Sequence, residues 1–232
     1  MNEDPNDPVL VRMNNLVRQW EQSADRRAIF LGCYAMMTAN MLAAIQANEF
    51  YDPPWVKRLL DRFAEYYFRA VDDNTPEVWR IAFNAIEQPR VRAIQHLLLG
   101  VNAHINYDLI FALGDVLEPE WTALDEEQRR QRNADHCKVN QVIAETVDAV
   151  QDNILDRYEP SMELVDKAFG RLDEWVVSRV IAEWRDEVWA KAVRWVEDPA
   201  PQARQTMHDE IQRHSLRMAG LFLLRDYGSL LK

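Results

Sequence analysis

Glycine is scarce in this chain, six residues in 232, and there are only two cysteines and five histidines. No glycine-rich phosphate loop, no G-x-S-x-G elbow and no H-E-x-x-H pair occurs, so nucleotide-cradling, serine-hydrolase and zincin chemistries have no foothold. The Glu-x-x-His pairs of di-iron bundles are missing as well. Cys33 and Cys137 are isolated, each within a helical stretch, and read as reduced thiols of a cytoplasmic protein. Basic charge is in deficit: 27 Lys and Arg against 38 Asp and Glu give a formal net charge of −11. Such a surface repels phosphates, so neither nucleic acid nor an anionic membrane is an expected partner. The start, MNEDPNDP, lacks an apolar signal core, and no apolar run reads as a membrane span, so the expectation is a soluble protein. Strand-like alternation and internal repeats are absent.

What is present is helical. Hydrophobic residues make up 48% of the chain, eight of them Trp, and Ala, Leu, Glu and Arg are plentiful. The pattern predicts an all-α single domain of seven to nine helices over residues 9–232, behind a flexible lead-in at 1–8. Pro8 opens a first helix, and Ser23 is a candidate cap for a second, apolar helix from about Asp25 to Asn48. Pro53 and Pro54 break it and start a third, to about Val71. A short aromatic helix spans Glu77 to Glu87. Residues 120–133 are polar, and Asp125 to Arg132 reads as an exposed connector helix or loop, before a helix ending near Tyr158, a long one from about Met162 to Val196, and a last one from about Arg204 to Leu224. Asp72 and Asp73 invite comparison with an Asp-rich magnesium motif, but two acids before a proline read as a solvated turn.

The stretch from Val91 to Leu117 organises the rest. It is apolar on nearly every side, which places it at the centre of the domain, yet it carries six polar residues in its middle, and Asp115 beyond them, that must find partners there. At about 100° per residue these fall into two stripes. His104 and Asp108 share one face, with His96 near its border and Asp115 one heptad on; Gln95, Asn102 and Asn106 lie on the far side. The second stripe reads as structural hydrogen bonding between helices. The first holds the groups that titrate or bind metal, so His104 and Asp108 are the candidate catalytic pair. The plainer alternative is a core histidine held by its aspartate.

Two chemistries suit the pair. As an i, i+4 couple it can hold one divalent metal ion, completed from helix ends by Asp52, Asp135 and His136, with Glu49 a further candidate. Without metal, Asp108 orients His104 as general acid or base in an aromatic-lined cavity. A trinuclear zinc site would need nearly all five histidines, and His208 and His214 read as lying on an exposed, charged helix.

The run from Gly100 to Leu109, with Gln95 before it, resembles the central helix of a family of unknown function, of the form G-hydrophobic-N-A-H-I-N-x-D-L. Phe50, Asp52 and Pro53 resemble its F-x-D-P turn, Phe63 and Tyr67 its F-A-x-x-Y-F helix, and Trp79 and Phe83 its short aromatic helix. Asp135 with Val139 and Asn140 resembles its D-x-x-x-V-N segment, and residues 183–195, with Trp189 and Trp195, its late A-W-x-x-A helix. The similarity spans about 28–225. It departs around 30–40, where Phe30, Tyr34 and Thr38 stand where an Asn and a Tyr are expected. The resemblance implies a shared central helix and carries no activity with it.

The resulting expectation is a cytoplasmic helical enzyme acting by hydrolytic or acid/base chemistry on a small, largely apolar metabolite, with or without a metal. The alternatives are a small-molecule-binding or scaffold protein, and a metal-free cyclase or isomerase. The acidic exposed face is compatible with a homodimer.

Overall fold

The computed structural model describes residues 7–72, 75–150, 156–158 and 172–224, and every structural statement below refers to these. They form eight helices of eight residues or more, with no strand among them. The chain is all-α.

Helix α1 (Pro8–Gln22) starts where Asp7 accepts hydrogen bonds from the amides of Val9 and Leu10, with Pro8 in the first turn. Ser23 belongs to the end of this helix: its hydroxyl donates to the carbonyls of Gln19 and Trp20. The cap expected there for the next helix is supplied instead by Asp25, which accepts from the Arg27 amide. Helix α2 (Arg27–Gln46) is apolar all round and buried along most of its length. Helix α3 (Pro53–Asp72) and the short α4 (Glu77–Asn84) follow. The connector expected over 120–133 is largely helical, because its polar residues continue into one long helix, α6 (Glu126–Val150). Helices α7 (Leu172–Glu197) and α8 (Pro201–Leu224) complete the set. The segments expected around residues 151–155 and 159–171 lie outside the described residues.

Helix α5 runs Ala93–Leu117 through the middle, packed by α2, α3, α4, α7 and α8. It is not one regular α-helix. Ala93–Ala103 and Leu109–Leu117 are α-helical, and the turn between them, His104–Asp108, is a π-helix whose bond closes from the Leu109 amide to the His104 carbonyl. Two glycines let neighbours approach this helix. A Cβ on Gly100 would fall 2.4 Å from the Phe30 ring, and one on Gly114 would fall 2.8 Å from Trp195. By length and composition α2 and Ala93–Leu117 are apolar enough to cross a membrane, contrary to the sequence reading; 56% and 83% of their most apolar windows are buried inside the fold.

The stripe of Gln95, Asn102 and Asn106 faces α8. Gln95 donates to the Phe222 carbonyl and Asn102 to that of Ser215. Asn106 donates to Asn102, and the Ser215 hydroxyl donates to the Asn106 carbonyl. These bonds satisfy polar groups that burial would otherwise penalise, and they fix the register of α8 against α5.

Candidate active site

His104 and Asp108 stand at the two ends of the π turn, 3% and 1% exposed, with Nδ1 of the imidazole 3.1 Å from Oδ2 of the carboxyl. π turns inside α-helices recur at functional sites. The indole N–H of Trp79, from α4, donates to the same Oδ2 at 2.9 Å. Aromatic rings enclose the imidazole. Phe63 lies parallel on one face with centroids 3.5 Å apart, and Tyr34 approaches edge-on at 4.3 Å. Phe30, Tyr67 and Trp79 complete the wall at 5.7, 6.0 and 6.1 Å. Phe63 is only half-buried, so one ring lies over the imidazole on that side.

Burial sets the electrostatics. It holds the His104 pKa well below the usual imidazole value, because a charge there would lose its hydration. It also pushes the Asp108 carboxyl well above the usual range, against the opposing pull of the Trp79 N–H. The Tyr34 hydroxyl is raised as well, by burial first and by the nearby Asp108 charge second. Inside this box two polar atoms have no hydrogen-bond partner among the described residues, His104 Nε2 and the Tyr34 hydroxyl, and the Thr38 hydroxyl, one turn further along α2, has none either. The Tyr67 hydroxyl, on the wall, is also unpartnered. A buried polar group left unpaired costs about 1–3 kcal/mol, which makes a cluster of them exceptional.

The remaining candidates do not join the pair, and each is already committed elsewhere. Asp135, fully buried, accepts from the backbone amides of Tyr51 and Asp52 at 2.7 and 2.9 Å. Asp52 caps α3 through the Trp55 amide and pairs with Arg132 at 2.8 Å. His136 uses both ring nitrogens on Arg185: Nε2 donates to the carbonyl at 3.0 Å, and Nδ1 lies 3.3 Å from the guanidinium. Its pKa is held well below the usual value by burial and by that cation. Glu49 pairs with Lys138. Among the described residues no group of three His, Cys, Asp or Glu side chains is placed to hold a metal ion. The five expected ligands, His104, Asp108, Asp52, Asp135 and His136, are thus not brought together as one group among the described residues. Helix-end acids that look poised to ligate act here as backbone caps and ion-pair partners.

Two further positions differ from the sequence reading. His208 is half-buried rather than exposed, with Nε2 3.3 Å from the Tyr107 hydroxyl, and His214 is half-buried too. Asp115, in line with Asp108 by angle, meets Arg62 and Tyr66 of α3 instead of the box. The Trp79 bond to Asp108 was not legible in the sequence, since an indole at helical spacing declares only a buried ring. Arg185 gave no signal: next to Asp186 it looks like half of a solvated pair, yet it is 4% exposed and bonds Asn140 and the His136 carbonyl.

Comparison with known proteins places the chain by family and no further. A family of unknown function, DUF5995, matches residues 6–225. No curated protein and no solved structure matches. With nearly the whole length covered, the chain belongs to that family.

Proposed function

We propose that this member of DUF5995 binds a small, largely apolar molecule in the box around the π turn and performs metal-free acid/base chemistry on it, with His104 as the group that touches the ligand. The observation that supports the reading is the bare Nε2 of a buried imidazole whose other nitrogen is tied to a carboxyl, beside a tyrosine hydroxyl that is equally unpartnered. Among the described residues the metal-ligating side chains that converge are His104 and Asp108, bonded to each other, and that donor pair does not fit a resident metal ion.

The pKa directions suggest how the pair works. In its acid form the Asp108 carboxyl is neutral and donates to Nδ1, leaving a proton on Nε2. Giving that proton to a ligand while the carboxyl proton moves to Nδ1 yields the base form, a carboxylate facing Nδ1–H with a lone pair on Nε2. The two forms differ by one proton, and the imidazole is neutral in both, which suits a site that resists an imidazolium. Trp79 steadies the carboxylate of the base form, and the Tyr34 hydroxyl is the second group available to a polar end of the ligand.

An architectural reading is favoured by one observation: the pair is buried, and the cavity against Phe30, Tyr67 and Trp79 touches neither His104 nor Asp108. Equilibrium dialysis against a small-molecule extract, read by mass spectrometry, separates the two. A molecule retained by the native chain and released by His104→Gln is the expected result. Identical retention by both proteins, or none by either, leaves the architectural role.

A further inference from the structure

On the other side of the aromatic wall lies a separate small cavity of about 20 Å³. Tyr67, Trp79 and His96 form its buried end, and Arg26, Phe83 and Ile86 stand at its half-buried rim. That volume admits one or two water-sized atoms, room for the oxygens of a small head group and not for the body behind it. Two features make it more than a packing gap. The guanidinium of Arg26 bonds the Val91 carbonyl at 2.8 Å and lies 3.4 Å from His96 Nε2, and no carboxylate pairs with it among the described residues. Arg27, next to it, is by contrast neutralised by Asp25 at 2.6 Å. Second, the Tyr67 hydroxyl, fully buried and without a partner among the described residues, belongs to a residue lining this cavity, and its surroundings include the charges of Arg27 and Asp25.

We infer that this cavity is a subsite for the carboxylate of a small organic acid, held between the Arg26 guanidinium and the Tyr67 hydroxyl, with the acid's apolar body lying outward across Phe83 and Ile86. One unneutralised guanidinium calls for one negative charge, and a fork of N–H donors suits a planar carboxylate. The confined volume suits that flat head better than a tetrahedral phosphate. The hydroxyl supplies a second hydrogen bond to the anion, which answers its lack of a partner. The assignment does not depend on what His104 does.

The test is thermal stability and NMR titration of the full chain with propionate and benzoate, beside their neutral counterparts 1-propanol and benzyl alcohol, at fixed ionic strength. The acids are expected to raise the melting temperature and to bind at least roughly tenfold more tightly than the alcohols, as a charge-assisted bond implies. Arg26→Met should lose that preference, and Tyr67→Phe should weaken acid binding several-fold. The acid-over-alcohol preference is read on the native chain, so the inference stays exposed even if Arg26→Met folds poorly. No response to either acid, an equal response to the alcohols, or undiminished acid binding in a folded Arg26→Met would overturn it. A failure here leaves the dialysis result on His104 standing, and the reverse also holds.

Discussion

Asp135→Ala is expected to cost the fold about 3 kcal/mol or more, lowering the melting temperature by about 6–12 °C for a chain of this size. Asp135 is fully buried, and its two oxygens accept from consecutive amides, Tyr51 and Asp52, at the turn that feeds α3. Removing the carboxyl orphans both N–H groups at this part-buried turn, on the side packed against the buried Asp135. The damage spreads, because Asp52 in turn caps α3 and pairs with Arg132, whose guanidinium also bonds Glu120 and lies over Trp55. Asp135→Asn keeps one acceptor and presents an amide N–H to a donor, so an intermediate loss is expected. Urea denaturation of the three proteins checks this. A residue kept for ligand chemistry would behave the other way, since functional groups held against the fold's interest tend to cost stability. Unchanged or raised stability in Asp135→Ala would return the residue to the list of site candidates.

The second large effect is on pH dependence. His104 and His136 both have pKa values well below that of an exposed imidazole, so below about pH 6.5 the unfolded chain takes up two protons that the folded one refuses. Stability then falls with falling pH, by about 1.4 kcal/mol per unit for each group, until the folded pKa values are reached. Half-buried His214 adds a smaller contribution of the same sign. Asp108 works in the opposite sense. Its folded pKa is raised, so between the unfolded and folded values the folded chain holds a proton that the unfolded chain has released, and lowering the pH favours the fold there. Between pH 6.5 and 5 the native chain should therefore lose stability less steeply than its two histidines alone dictate. Asp108→Asn removes the opposing contribution, and its slope should be steeper, toward the two protons of the histidines, about 2.7 kcal/mol per unit. Denaturant midpoints measured across that window give both slopes. Equal slopes in the two proteins would mean that Asp108 is ionised in the fold throughout, and the neutral-pair chemistry would lose its basis.

The helices and their centre were legible because burial writes itself into a 3.6-residue period. A stretch apolar on every side, as from Val91 to Leu117, has nowhere to sit but the middle, and its polar residues sort by angle into stripes that meet different neighbours. The angle also brought His104 next to Asp108. The π turn between them was not legible, since no residue in it is one that a regular helix would refuse. The outer candidates failed for a different reason. Asp52, Asp135 and His136 are polar residues at or near helix ends, and the sequence does not say whether such a group turns to a ligand or to a backbone amide some 84 residues away. That choice is made by long-range packing. The rings of Tyr34, Phe63, Tyr67 and Trp79 were visible singly as core residues, and only the crossing of α2, α3 and α4 over α5 assembles them around one imidazole.

The proposed function requires that the polar atoms in the box are kept for a partner from outside the chain. The most direct measurement is the unfolding free energy of Tyr34→Phe, which deletes one buried hydroxyl and leaves the ring in place. If the hydroxyl has nothing to bond in the ligand-free protein, its removal should stabilise the fold by about 1 kcal/mol or more. A loss of similar size would show that the hydroxyl is satisfied within the folded molecule, and the box would be a core like any other.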